Sequence, residues 1–321
     1  MADLDSPDYN NSHRAFLQAF IARSTLTFDQ AKPILAAILG AQERREYLLG
    51  DVTEADFINY VTAANNAISS YDLEIRSTFH QTTRQRVYAL VNSTSDPLTQ
   101  LATIHSADEI SYLKRLLDAI FETYNTRRHE VMAIKSIQAT NLAKVQNTRR
   151  EEEDAETQGS AGQSLTLMQA EKMLKALVDE GWFEKSQKGF FSLAPRALME
   201  LRGWLLETYN DEEGDGEVRI KQCYACKEIL TTGQRCADRD CPCRLHDICT
   251  QRFFATQTAR KCPNCKKDWT GQDYVGERAA VNMKEPTKRR STTGASSRRE
   301  STAVTNGDDR DEASAEDDDD G

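Results

Sequence analysis

CYACKEILTTGQRCADRDCPCRLHDICTQRFFATQTARKCPNC (residues 223–265) holds all eight cysteines of the chain and one of its five histidines. The spacing is Cys223-x2-Cys226-x9-Cys236-x4-Cys241-x4-His246-x2-Cys249-x12-Cys262-x2-Cys265. Tetrahedral zinc takes four ligands at about 2.0–2.3 Å, and a CxxC turn places two thiolates on one ion. Two CxxC pairs, a Cys/His pair and a looser Cys/Cys pair make four pairs, enough for two structural Zn2+. A single C2H2 finger would leave four cysteines unexplained. In a cross-brace, Cys223, Cys226, His246 and Cys249 hold the first ion, and Cys236, Cys241, Cys262 and Cys265 the second. Cys243 is left over. It could replace Cys241, but six residues would then separate it from Cys236, so Cys241 is preferred.

The rest of the composition fits this reading. Clustered cysteines in a chain without signal-peptide features point to metal and not to a secreted disulfide framework. A segment of about 45 residues rarely folds on its own core. Structural zinc contributes roughly 10–16 kcal/mol of apparent binding energy per site in zinc-finger peptides. With 321 residues the chain has room for two or three domains. Its 39% hydrophobic and 29% charged content implies folded domains joined to disordered segments. No apolar run approaches the roughly 18 residues of a membrane span, so a soluble intracellular protein with no membrane partner is expected. Much of the net charge of −10 sits in residues 149–157, 211–217 and 277–321. The parts expected to fold are near neutral, which does not exclude a nucleic-acid partner.

Working toward the N-terminus, the pattern is mainly α with small β-hairpins. Residues 1–11 read as disordered. Residues 12–147 read as a winged-helix domain A with a helical extension. Its helices lie over 12–40, with Ser12 as N-cap, and from Thr53, with Phe57, Tyr60, Val61 and Ala64 on one face. The period then changes to alternation at Tyr71, Leu73, Ile75, Ser77 and Phe79, a turn follows at Gln81–Arg84, and a second strand runs Arg86–Val91. Helical periodicity resumes over 106–137, opened by a Ser106-x-x-Glu109 capping box. Residues 148–163 read as a linker. Residues 164–210 read as a second winged helix, B. It has a helix ending near Gly181, a hairpin at Trp182–Leu193 and a final helix from Pro195 carrying Leu198, Leu201, Trp204 and Leu205. A generic α+β domain and an ordinary helix–hairpin–helix unit would give the same outlines. An acidic spacer occupies 211–220, the zinc domain 221–271, and a disordered charged tail 277–321.

The order of ligands fits both RING domains and PHD fingers. PHD fingers, readers of histone tails, carry a Trp two residues before the seventh ligand, where this chain has Arg260, and no aromatic cage for methyl-lysine stands nearby. The Cys262-Pro263-Asn264-Cys265 ending resembles the C-P-x-C of RING domains. On that resemblance Tyr224, Ala225, Phe253, Pro263 and Lys266 are the candidate contacts to an E2. Ala225 stands where many active RINGs have a large aliphatic residue, so autonomous E2 binding is expected to be weak. No cysteine lies outside the block, so no thioester relay or cysteine protease is available. Any ligase activity would act by orienting E2–ubiquitin.

The whole layout resembles the non-structural-maintenance-of-chromosomes element 1 family, the RING-like subunit of the SMC five/six complex. The likeness runs over about 12–270 and rests on Leu90-Val91-Asn92-Ser93-Thr94-Ser95-Asp96, Gln100-Leu101-Ala102-Thr103, Asp108-Glu109-Ile110, Gln169-Ala170-Glu171-Lys172 and the zinc block. Cys243 departs from the family pattern. The resemblance implies a nuclear, chromatin-associated DNA-repair subunit. It implies a MAGE-type winged-helix partner, a kleisin partner, and SMC heads reached through the complex. It implies ubiquitin-ligase activity dependent on the MAGE partner. The helix region Thr53–Ser69 has no Lys or Arg, and Arg84 and Arg86 make a weak phosphate footprint, so DNA contact is expected only indirectly. Lys284, Lys288-Arg289-Arg290 and Arg298-Arg299 read as a nuclear import signal, with a solvated basic patch as the alternative.

Overall fold

The computed structural model describes residues 9–93, 104–144, 164–210, 218–255, 257 and 259–281. Residues 1–8, 94–103, the linker 148–163, most of the acidic spacer and the basic import-like cluster lie outside the described residues. The described chain is helix-rich with three small antiparallel sheets.

The first unit runs α1 (Asn11–Arg23), β1 (Thr25–Thr27), α2 (Phe28–Glu43), α3 (Glu54–Ile68), β2 (Leu73–Phe79) and β3 (Arg86–Asn92), with sheet order β1-β3-β2. The cap of α1 is Asn10, whose side chain accepts from the Ser12 amide at 2.9 Å, so the helix starts earlier than Ser12. Thr53, the expected start of the helix, caps α3, its hydroxyl accepting from the Asp56 amide at 3.2 Å. Phe16, Phe20, Leu26, Leu35 and Phe57 fill the core, with Phe16 edge-on to Phe57 at 5.7 Å. Asn65 on α3 donates to the Ile75 carbonyl and accepts from its amide, tying helix to hairpin. Tyr71 is outside the strand, exposed on a short turn, and β2 begins at Leu73. The three-residue β1 is too short to show in the sequence pattern.

The second unit begins with α4 (Ala107–Asp118), which widens into a π turn over Ala119–Thr123, where the Tyr124 amide donates to the Ala119 carbonyl. The helix expected to reach residue 137 stops here. Val131, Met132, Ala133 and Ile134 are buried in succession, which one helix face does not allow, and Met132 has a φ of +48°. The segment instead leads to β4 (Ile134–Lys135) and α5 (Ser136–Asn141). After 145–163 come α6 (Leu167–Asp179), β5 (Phe183–Lys185), β6 (Phe190–Leu193), α7 (Pro195–Glu200) and α8 (Arg202–Tyr209). The chain turns at Leu201, buried at the joint, so the expected single last helix is two.

Ile134 pairs with Phe191, and the sheet order is β4-β6-β5. Tyr112, Leu116 and Phe121 pack in one cluster with Leu174, Leu177 and Phe183. The second sheet and its core therefore draw on residues on both sides of 148–163. The segment expected to extend the first domain is built into the second unit.

The cysteine-rich segment adds β7 (Gly233–Arg235), β8 (Arg244–Leu245), α9 (Asp247–Phe254), β9 (Tyr274–Val275) and α10 (Glu277–Val281), with sheet order β8-β7-β9. The module thus passes residue 271, and the expected disordered tail does not begin at 277. Gly276, at φ +92°, turns the chain so that Arg278 reaches Asp247 at 2.6 Å and Ala279 is buried.

Candidate metal centre

The two CxxC pairs fold as matching knuckles, each ending in a lysine. Lys227 donates its amide to the Cys223 carbonyl at 2.9 Å, and Lys266 does the same to Cys262 at 3.0 Å. Both lysines sit at positive φ, 63° and 62°. In each knuckle the first cysteine's amide is bonded back to the chain beyond, Cys223 to the Glu228 carbonyl and Cys262 to that of Lys267, each at 2.8 Å. These turns bring the two thiols of each pair to one side of the knuckle.

The side chains gather in two groups, Cys223/Cys226/His246/Cys249 and Cys236/Cys241/Cys262/Cys265, with the ligand atoms of each group within 4.8 Å of one another. Four thiolates about 2.3 Å from a common centre stand roughly 3.8 Å apart. Cys236 and Cys265 lie 3.4 Å apart and Cys241 and Cys262 3.6 Å, close to that value and far beyond a disulfide bond of about 2.05 Å. His246 Nδ1 lies 3.3 Å from Cys226 Sγ and 3.9 Å from Cys249 Sγ, while Nε2 faces the Ile229 carbonyl at 3.3 Å. Nε2–H donates to that carbonyl, which leaves the Nδ1 lone pair for a metal. The donor set and spacing fit two tetrahedral ions.

Cys243 belongs to neither group. It is buried, and its carbonyl accepts from the Arg244 guanidinium. The structure brings Tyr224 to Phe253, edge-on at 6.0 Å, sets Phe253 edge-on to Phe254 at 5.1 Å, and tilts Phe254 against Trp269 at 5.6 Å. Lys266 Nζ donates to the Pro263 carbonyl at 2.7 Å, and Ala225 is exposed.

Two residues the sequence did not flag join the module to the helical units. Gln81, in the turn of the first hairpin, donates to the Ile229 carbonyl and accepts from the Thr231 amide, the Thr231 hydroxyl and the Thr232 amide. Glu130, 1% exposed, accepts from Arg244 Nε and Nη2 at 2.7 and 2.6 Å, and from Lys221 at 2.8 Å. Burial alone would raise the Glu130 pKa, but the hydrogen bonds and charge of Arg244, with Lys221 and Arg235, outweigh it and hold it at about 2. Neither residue lies in a motif, and their partners are far away in the chain.

The family model of the Nse1 non-SMC component of the SMC5-6 complex matches residues 13–201. The chain belongs to that family. A RING-like domain model matches residues 223–265, the span of the two ligand groups. The human non-structural maintenance of chromosomes element 1 homolog is 25% identical over 257 residues, covering 80% of this chain and 83% of its own length. The Schizosaccharomyces pombe protein of that name is 23% identical over 224 residues, covering 70% and 80%. A chain of a solved Nse1-Nse3-Nse4 complex has the same fold, with a TM-score of 0.62 at 21% identity over 81% of this chain and 97% of its own. Nse1 membership thus spans the helical units, and the RING-like match spans the metal centre.

Proposed function

We propose that this chain is the Nse1 subunit of an SMC5-6 complex and acts there as a RING-type E3 ubiquitin ligase. Its partners are Nse3- and Nse4-like subunits, the former a MAGE-type winged-helix protein and the latter a kleisin, and the SMC heads are reached through them. The observation that carries the ligase reading is the cross-braced pair of ligand groups with the Tyr224–Phe253 ring pair beside the first knuckle. The eight ligands hold two Zn2+, whose chemistry here is structural. The helix-and-hairpin units are read as winged helices that dock the MAGE-type partner, and α3, without Lys or Arg, suits protein more than DNA. The site of action is nuclear and chromosomal. No described helix is long and apolar enough to cross a membrane.

All eight cysteines lie in the module, so ubiquitin does not pass through a cysteine of this chain. Catalysis is by orientation: the module binds E2–ubiquitin and favours conformers in which the thioester meets an acceptor lysine. Ala225 offers little contact area, which makes activity depend on the partner.

The test is lysine discharge from charged E2 by the zinc-loaded full chain with its MAGE-type partner. Stimulated discharge is expected, falling about tenfold in Tyr224→Ala and Phe253→Ala, the scale of losing one anchoring side chain. No stimulation across a panel of E2s would overturn the ligase reading and leave the second one, a non-catalytic scaffold. The bonds from Gln81 and Glu130 favour that reading, because they fix the module to the helical units.

A further inference from the structure

On the far side of the Glu130 network, where the loop after α4 meets the metal module, lies a polar cavity of about 230 Å³. Arg128 and His129 line it from the loop, Arg235 from β7, Arg239 from the segment that follows, and Asp273 and Tyr274 from the strand β9 region. Arg235 is buried. Its guanidinium donates to the carbonyls of Arg127 at 3.1 Å and Arg239 at 3.5 Å, and stands 3.5 Å from Glu130. Glu130 is already engaged by Arg244 and Lys221. Arg128 and Arg239 have no carboxylate within ion-pair distance among the described residues. Three cations, Arg128, Arg235 and Arg239, thus line the cavity with one carboxylate, Asp273. The lining carries two positive charges in excess around a space large enough for several waters. His129 lines the same wall, where burial, then the charges of Arg128, Arg239 and Arg235, push its pKa below the ordinary value.

We propose that this cavity binds the phosphate of a phosphoserine or phosphothreonine side chain on a protein partner. A phosphomonoester carries about −1.5 to −2 charge and three acceptor oxygens, and converging guanidinium groups match both. A carboxylate would leave part of the surplus charge unmet. The carboxylates at the site argue against a nucleic-acid backbone. Asp273 lines the cavity, and Asp240 pairs with Arg127 beside it, so a polyanion laid across the site would meet two acidic groups. A single phosphate entering the cavity avoids them. Such a ligand touches Arg128 of the second unit and Arg239 of the module together, so it reads the junction as assembled.

The test uses the zinc-loaded full chain and a fluorescein-labelled Ala-Ala-phosphoSer-Ala-Ala peptide, followed by anisotropy at about 0.15 M salt. The phosphopeptide is expected to bind and its unphosphorylated twin not to. Arg239→Ala and Arg128→Ala, both at exposed positions, should each weaken binding about tenfold, the effect of losing one charge-assisted contact, with far-UV circular dichroism and zinc content unchanged. Equal binding of the two peptides overturns the proposal. So does undiminished affinity in both variants. Binding of a duplex oligonucleotide that is lost in the same variants, with no phosphopeptide binding, overturns it in favour of a nucleic-acid contact.

Discussion

Glu130 answers three cations with one carboxylate, and almost none of it is exposed. The bidentate Arg244 contact also reaches the ligand-bearing loop, because Arg244 Nη1 donates to the carbonyls of Cys241 and Cys243. Glu130→Gln keeps the shape and removes the charge, leaving Arg244 buried without a counter-ion. A loss of about 3–5 kcal/mol is expected from urea unfolding near neutral pH, the scale of a broken buried pair. The pH dependence follows from the depressed pKa, about 2 against an ordinary 4.5. The wild-type contribution is whole above pH 4.5 and is lost as pH falls from there toward 2. The gap between wild type and Glu130→Gln should therefore narrow across that window, and a gap constant with pH would mean that the carboxylate charge is not what Arg244 needs.

The hairpin β2–β3 does at the level of an element what Glu130 does at one residue. Its turn places Gln81 over the Ile229–Thr232 stretch, where the carboxamide makes four hydrogen bonds, and Arg84 reaches Gln251 at 3.0 Å. Gln81→Ala should cost about 1–3 kcal/mol, the penalty of leaving buried backbone groups unmet. Hydrogen exchange at the Thr231 and Thr232 amides should quicken, and unchanged exchange there would count against a docked turn. The hairpin itself was legible, since alternation at Leu73, Ile75 and Ser77 ends in a polar turn, and so were the two knuckles, because CxxC is a local pattern, whereas the grouping of pairs across the module rests on the cross-brace order of the whole ligand set. Preference for Cys241 over Cys243 also rested on local spacing, and the geometry places Cys241 in the second group and Cys243 outside both. What failed to show was short or distant. β1 and β4 have three and two residues, too few for a period. Buried Val131–Ile134 looked helical because an apolar run carries no direction. Gln81 and Glu130 are ordinary polar residues until partners about 150 and 114 positions away arrive.

Across the whole molecule the cores divide unevenly. Phe16, Phe57 and their neighbours form one cluster in the first unit. A second cluster runs without a break from Leu116 and Leu177 through Leu205 and Tyr209 to Ile220, Ile229, Leu230 and Trp269 of the metal module. Structural zinc supplies folding energy outright in small domains, so on the proposed two-zinc reading chelation should melt the module. Because the module shares its core with the second unit, that unit should loosen, while the first keeps its own core. Hydrogen exchange after chelation of the full chain is expected to lose protection over 221–281, to fall partly over 164–209, and to persist over 11–68. Far-UV helicity should drop modestly, because the longer helices lie before residue 210, and added zinc should restore protection. If chelation left the protection of 221–281 intact, the metal would not be what holds the module. If it unfolded 11–68 in the same step, the two cores would be one cooperative unit, and the Gln81 turn would carry far more of the coupling than four hydrogen bonds imply.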